Sequence, residues 1–354
     1  MAAISTGVYF RTYQRELALR HTKAQYVRLA LVVVAAIAAP YLLDPYQLSI
    51  LNTVLIAVVG AVGLNILVGF TGQISLGQGG FLAVGAFTSG LLTMRADLPA
   101  PLSIACAVVV TAAAGALFGL PALRLKGLYL AIATLASQEI IVFIARRWSF
   151  LREESGAPLS IERLKVGGYE ITREYFEFQW YWILLGCAVV AVLAARNLFR
   201  TGLGRSFMAV RDQDIAAAAI GVNVTRTKVV AFAVSSGFVG LAGALTAHYS
   251  ETVTWESFTF EISILYLAMI IVGGLGSVAG AVYGAFFITL LPVFLNEFIG
   301  GLGEDVPWLV SRLPAIENAV FGLVIIAFLL IEPRGLDRIW QRMKDYVRFW
   351  PFRY

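Results

Sequence analysis

Apolar runs of membrane-spanning length follow one another through most of this chain, near residues 27–43, 48–69, 74–94, 101–120, 127–145, 179–198, 229–249, 262–282, 283–298 and 315–332. About twenty helical residues cross a bilayer core, and in hydrocarbon every backbone N–H and C=O must find its partner within the protein. The sequence therefore predicts an all-α integral membrane protein, a polytopic helix bundle of about 8–10 transmembrane helices with broken or re-entrant Gly-rich segments. Several runs are short or glycine-interrupted, which leaves the count open by one or two. Composition agrees: 14% of the residues are charged, where a soluble domain carries about a quarter.

Basic residues set the topology. Arg11, Arg15, Arg20, Lys23 and Arg28 mark the segment 1–28 as cytoplasmic under the positive-inside rule. Alternation through the transmembrane domain 29–332 then puts Arg124, Lys126, the 200–227 loop and the 333–354 tail inside. It puts the 146–178 loop outside, together with 250–261, which holds Glu251, Glu256 and Glu261 and no Lys or Arg. The net charge of +5 is accordingly a topology signal, and no nucleic-acid partner is expected. Residues 9–28 have the character of an interfacial helix. The rival is a signal peptide cleaved near Ala35–Ala39, but so long a charged lead fits an uncleaved first span better. Tyr169, Tyr175, Phe176, Phe178, Trp180, Tyr181 and Trp182 read as an interfacial aromatic belt, and GGYEITREYFEF (167–178) reads equally as a short surface hairpin.

Among the apolar runs, Gly69–Ala86 (GFTGQISLGQGGFLAVGA) stands apart, because it carries amides, a hydroxyl and six glycines. Bare backbone at membrane depth is tolerated only against protein or beside a wet cavity. Two readings stand: tight helix packing, or a place in a transport pathway with Gln73, Ser75, Gly77 and Gln78 as its residues. Gly273–Gly284 (GGLGSVAGAVYG) echoes it with Gly273, Gly274, Gly276 and Ser277. Paired glycine-interrupted segments in two halves of a transporter mark a pathway; chance similarity among 33 glycines is the other explanation.

Thr201–Thr227 is the informative cytoplasmic stretch. Arg205–Ile220 has the Ala-rich character of a helix that Gly221 would close as its C′ residue. Arg211, Asp212, Gln213 and Asp214 give it a charged side; Ala209, Ile215, Ala216, Ala219 and Ile220 give it an apolar one. Such a helix is either a solvated surface element or a face for a partner's groove.

Five pieces in order carry a family resemblance: GLNILVGFTGQISLGQGGFLAVGAF (63–87), PALRLKGLYLAIATLA (121–136), GRSFMAVRDQDIAAAAIGVNV (204–224), VGGLGSVAGAVYGA (272–285) and IEPRGL (331–336). Together they resemble the permease subunits of branched-chain amino acid ABC importers, more the longer M-type than the H-type subunit. The resemblance implies a second permease subunit, two cytoplasmic ATP-binding subunits and an extracytoplasmic substrate-binding protein, in a bacterial or archaeal inner membrane. It implies that ATP is bound by the partners, that Gly72–Gly80 lies in the membrane core near the route, and that Arg205–Val222 is the coupling helix. Arg205, Ala209, Arg211, Asp212, Asp214, Ala216, Ala219 and Gly221 are then its candidate residues. The 146–178 loop departs from the family's Gly-rich pattern, so the substrate stays open between branched-chain amino acids and urea or short amides.

What is missing points the same way. None of Lys23, Lys126, Lys165, Lys228 and Lys344 precedes Ser or Thr, so no Walker A loop exists. His21 and His248 are too few and too distant for a metal or Ser/His site, and His248 reads as a hydrogen-bonded interfacial residue. Cys106 and Cys187 lie in apolar runs and read as packing residues. No constellation for an intramembrane enzyme appears. Glu139 is the one carboxylate well inside a predicted span; it is a functional candidate for an ion-coupled carrier or a structural partner of Arg146 or Arg147.

Overall fold

A helix that is apolar on every side is stable only in the middle of a bundle, and Pro45–Thr71 (α2) is such a helix. The computed structural model describes residues 23–121, 124–147, 158–161, 165–166, 169–170, 172, 175–302, 312–332 and 335–349. The chain divides into two units, Met1–Ser49 and Ile50–Tyr354. The described part of the first is α1 (Lys23–Leu42), with Pro40 near its end, and the opening turn of α2. The proposed interfacial helix 9–28 lies mostly outside the described residues.

In the second unit, nearly every side chain of α2 from Val54 to Phe70 is buried. Then come α3 (Gln78–Arg95), α4 (Ala100–Gly119), α5 (Leu128–Arg147) and α6 (Phe176–Leu198). The short helices α7 (Gly202–Asp212) and α8 (Asp214–Ala219) lead into α9 (Val224–Ser250). A 3-10 turn (Trp255–Ser257) precedes α10 (Phe260–Gly273), α11 (Val278–Leu302), α12 (Leu313–Ile331) and α13 (Gly335–Phe349). Among the described residues, 7 helices are long and apolar enough to cross a membrane, and Ala30–Leu42 is a shorter apolar one. This is the expected all-α polytopic bundle. Helix α3 is less apolar because glycines, serine and threonine replace large side chains where it is packed by protein instead of lipid.

Small residues set how closely the helices approach. A Cβ on Gly85 would lie 2.6 Å from Gly240 Cα, and one on Gly119 would lie 2.8 Å from Phe232 Cβ. Gly243 faces the Leu82 carbonyl and Gly115 the Ser236 hydroxyl, so α3, α4 and α9 meet almost backbone to backbone. Within this packing His248 is buried, its Nε2 bonded to Ser89 Oγ at 2.8 Å. Its sequence reading as interfacial is corrected accordingly: a serine pair on α3 and α4 offers the hydrogen bond that water would otherwise supply.

Two residues of the aromatic belt are corrected likewise, while Tyr175 and Trp182 are exposed. Trp180 and Tyr181 are 1% and 2% exposed, and Trp180 meets Tyr249 edge-on at 5.7 Å. Glu177 explains the inward turn of this end of α6, because it accepts from Asn52 Nδ2 and Tyr249 Oη, each at 2.8 Å. Strand pairing here is shorter than expected and begins earlier. Lys165–Val166 (β2) pairs antiparallel with Tyr169–Glu170 (β3), and Phe176 already starts α6. Leu159–Ser160 (β1) pairs with Thr252–Val253 (β4). Most of the 146–178 loop lies outside the described residues.

Two breaks depart from the expected spans. Helix α2 ends at Thr71, Gly72 takes a φ of +68°, and α3 starts at Gln78 where 74 was expected. The runs expected at 262–282 and 283–298 divide instead at 274–277, where Gly274 and Gly276 have φ of +123° and +76°. Only glycine adopts such values without strain.

Gly85→Val is expected to destabilise the bundle by about 1–3 kcal/mol, the usual cost of overpacking. The check is the unfolding temperature of the purified protein in detergent, which should fall by several degrees.

Candidate functional site

The 201–227 segment is helical as the sequence suggests, but from Gly202 where Arg205 was expected, and it then divides. Thr201 Oγ1 accepts from the Gly204 N–H at 3.4 Å, capping α7. Gly204 lies directly against the Leu198 carbonyl and Phe199, where no Cβ fits. The expected single helix Arg205–Ile220 is interrupted at Gln213, which is extended with φ −161° and ψ 108°. Asp214 restarts the helix from its first turn, where a carboxylate complements the helix dipole. Gly221, at φ +89°, closes α8: its N–H bonds Ala218 O and the Val222 N–H bonds Ala217 O, both at 3.0 Å. Those are the two bonds of a Schellman cap.

Side chains sort by face. Phe207, Val210 and Ala217 are buried, while Arg205, Ala216 and Ala219 are exposed and Ala209 is half-buried. Ile215 and Ile220 are 74% and 77% exposed.

Arg211, itself exposed, reaches from α7 to the end of α2. Its Nη1 donates to Gly69 O at 3.1 Å, while Nε and Nη2 donate to Asp212 Oδ1 at 3.1 and 3.0 Å. The same side chain crosses both glycine breaks. A Cβ on Gly72 would lie 3.1 Å from Arg211 Cγ, and one on Gly276 would lie 3.0 Å from Arg211 Nη1. Asn65 fastens the breaks together: its Oδ1 accepts from the Gly276 N–H at 3.0 Å and its Nδ2 donates to Ser277 O at 2.7 Å. Ser277 Oγ accepts from the Gly280 N–H at 3.1 Å and so caps α11. Gly335, at φ +70°, abuts the Gly274 N–H and brings the start of α13 to the same point.

Next to this junction is a polar cavity of about 270 Å³, lined by Thr71, Gly72, Gln73, Lys126, Arg211 and Asp214 among others. Asp214 Oδ2 is 2.5 Å from Lys126 Nζ and 3.7 Å from Lys228 Nζ. The hydrogen bond from Lys126, helped by the positive charge of both lysines, holds the Asp214 carboxyl below the usual aspartate range. Lys228 is itself buried, which for lysine requires a partner.

The structure thus brings Gly276 and Ser277 to Gly69 and to Arg211 of α7. The other candidates each have contacts within the protein. Gln78 Nε2 donates to Gly60 O at 3.1 Å, Ser75 Oγ accepts from the Gly77 N–H at 3.3 Å, and a Cβ on Gly77 would lie 2.9 Å from Thr134 O. Gly273 packs against Gly280 where α10 meets α11. Gln73 lines the cavity and donates to Thr71 Oγ1 at 3.1 Å, and its own buried Oε1 has no partner among the described residues. Asn65, Lys126 and Lys228 were not singled out from the sequence. A lone amide four residues before Gly69 in an apolar run was the available signal for Asn65.

Glu139 does not take the expected partner. It is exposed, and among the described residues no ion pair joins it to Arg146 or Arg147. Arg146 lies over the Trp255 ring at 5.5 Å and Arg147 over Phe143 at 5.9 Å.

Comparison with known proteins places these features in a family. The sequence profile described as "Branched-chain amino acid transport system / permease component" matches residues 46–329. The high-affinity branched-chain amino acid transport system permease protein LivM of Salmonella typhimurium is 32% identical over 300 residues, 78% of this chain and 70% of that protein. A probable branched-chain amino acid transport permease protein LivM of Methanocaldococcus jannaschii is 25% identical over 66% of this chain and 67% of its own. The autoinducer 2 import system permease protein LsrC of Klebsiella pneumoniae is 32% identical over 47% of this chain and 48% of its own. No solved structure gives a significant match.

Asp214→Asn is expected to lower thermal stability, since it leaves buried Lys228 without a carboxylate. A depressed carboxyl stabilises the fold above its unfolded-state pKa and loses that contribution as pH falls through the folded value. The difference in unfolding temperature between wild type and Asp214→Asn should therefore be constant from neutral pH to about pH 5 and shrink below about pH 4.

Proposed function

We propose, from the premise that this chain belongs to the branched-chain amino acid transport permease family, that it is the subunit that links ATPase movement to alternating access for branched-chain amino acids. The permease role of an ABC importer, without enzymatic chemistry of its own, follows from the family. Leucine, isoleucine and valine as cargo are supported by the relatives named for branched-chain amino acid transport. In this reading the chain pairs with a second permease subunit and two ATP-binding subunits. A substrate-binding protein delivers solute to the outer face of the inner membrane, and both termini are cytoplasmic.

One observation carries the coupling step: Arg211 belongs to the surface helix α7 yet touches both glycine breaks. The exposed Ile215 and Ile220 offer the ATPase a face, and the capped, glycine-closed turns keep the segment stiff enough to transmit its movement. Movement of α7 pulls on Gly69 O and on the Gly276 turn together, and Asn65 holds the two breaks in step. The helices that follow the breaks, α3 and α11, then tilt as a pair.

A second cargo, autoinducer 2, is favoured by the likeness to the LsrC proteins, which reaches 90% of this chain at 24% identity. Urea or short amides are a third. An ion-coupled carrier has less support, because it leaves the exposed face of α8 without a use.

The test is uptake by vesicles holding the chain with its co-purifying partners and binding protein, using labelled leucine and urea, with and without ATP. ATP-dependent leucine uptake is expected. Urea uptake alone would change the cargo, and uptake driven by an ion gradient without an ATPase would overturn the reading. Replacing Arg211 and Asp212 together with alanine should cut leucine uptake at least tenfold while ATP hydrolysis continues; full transport would remove the coupling step.

A further inference from the structure

A carboxylate halfway along an apolar helix needs a reason, because lipid does not accept it. Glu139 stands there on α5 with its side chain exposed. Arg146 follows seven residues later, two turns or about 10 Å along the same side of the helix. Neither is ion-paired among the described residues. Between α5 and the Trp255–Phe260 segment is a cavity of about 530 Å³ that both residues line. Its volume is typical of small-molecule sites, about 300–1,000 Å³. Ile140, Phe143, Trp255 and Phe258 supply its apolar wall. Trp255 also fixes the guanidinium, whose Cζ lies 5.5 Å from the ring centroid.

Opposite charges set apart, with aliphatic and aromatic surface beside them, complement a zwitterion that carries a compact apolar side chain. We infer that this cavity is a transient binding site for an α-amino acid on its way through the permease. Glu139 receives the ammonium, Arg146 receives the carboxylate, and the Phe143–Trp255 wall receives the side chain. The inference rests on the importer reading and narrows its cargo to free amino acids, since urea and other uncharged solutes use neither charge. The site is also tied to the first glycine break. Gln138, next to Glu139, accepts from Ser263 Oγ at 2.5 Å, and Ser263 Oγ accepts from the Gly79 N–H at 2.8 Å.

The experiment measures binding of labelled L-leucine to the detergent-purified complex of this chain with its permease and ATPase partners, without binding protein. The competitors are 4-methylpentanoate, which lacks the ammonium, and isopentylamine, which lacks the carboxylate. Wild type should bind leucine and discriminate against both competitors. Glu139→Gln should weaken leucine binding at least tenfold and lose its discrimination against 4-methylpentanoate. Arg146→Gln should do the same for isopentylamine, and Glu139→Asp should retain most of the binding. Leucine binding unchanged in Glu139→Gln and Arg146→Gln overturns the site. So does failure of either variant to assemble with its partners, which would assign the charge to a subunit contact. If wild type imports leucine with the binding protein present but binds none without it, the site falls and the importer reading stands. If it neither binds nor imports leucine, both fall.

Discussion

Two breaks in the helices leave backbone groups without helical partners, and the way those groups are satisfied organises the rest of the molecule. The Gly276 N–H and the Ser277 C=O are both taken by the buried Asn65 amide, and Gly69 O is taken by Arg211. These groups are half-buried, so each pairing contributes about 0.5–1.5 kcal/mol. The junction is held by side chains from two other places in the sequence. Positive φ at Gly72, Gly274 and Gly276 permits the turns, and the absence of Cβ atoms admits the Arg211 side chain across them.

The packing around this junction serves it. Glycine-lined contacts among α3, α4 and α9 fix the helices at backbone distance. The Lys126–Asp214–Lys228 cluster fastens the start of α8 to the turn before α5 and the first turn of α9. At the opposite end of α3 and α9, His248, Ser89, Ser103 and Thr93 form a buried hydrogen-bonded group that pins the same helices. The glycine breaks interrupt this packing where α2 meets α3 and α10 meets α11.

Hydropathy and charge were enough to read the bundle, because burial in lipid demands long apolar helices whatever their partners are, but they misplaced the ends of the breaks, which glycine dihedrals fix. The closing residue Gly221 was equally legible, since such a cap depends on local chemistry, whereas the Thr201 cap before the expected start was not read. Contacts between distant residues were not. Arg211 lies 142 residues from Gly69, and Asn65 lies 212 from Ser277. In the sequence Arg211 looks like one more surface charge and Asn65 like a stray amide in an apolar run. The division of the docking segment at Gln213 was hidden for the same reason, because Asp214 is held by lysines from outside the segment. Trp180 and Tyr181 looked interfacial because their composition suits a membrane surface, yet a carboxylate at Glu177 with partners on α2 and α9 turned that end inward.

Hydrogen exchange of the assembled complex, followed by mass spectrometry, tests the linkage most directly. Peptides covering 69–78 and 274–280 would be compared without nucleotide and with a non-hydrolysable ATP analogue. If Arg211 and Asn65 join the two breaks to the docking helix, exchange in both peptides changes together when the ATPases close. A change confined to 202–221, with both glycine segments unaltered, would contradict it.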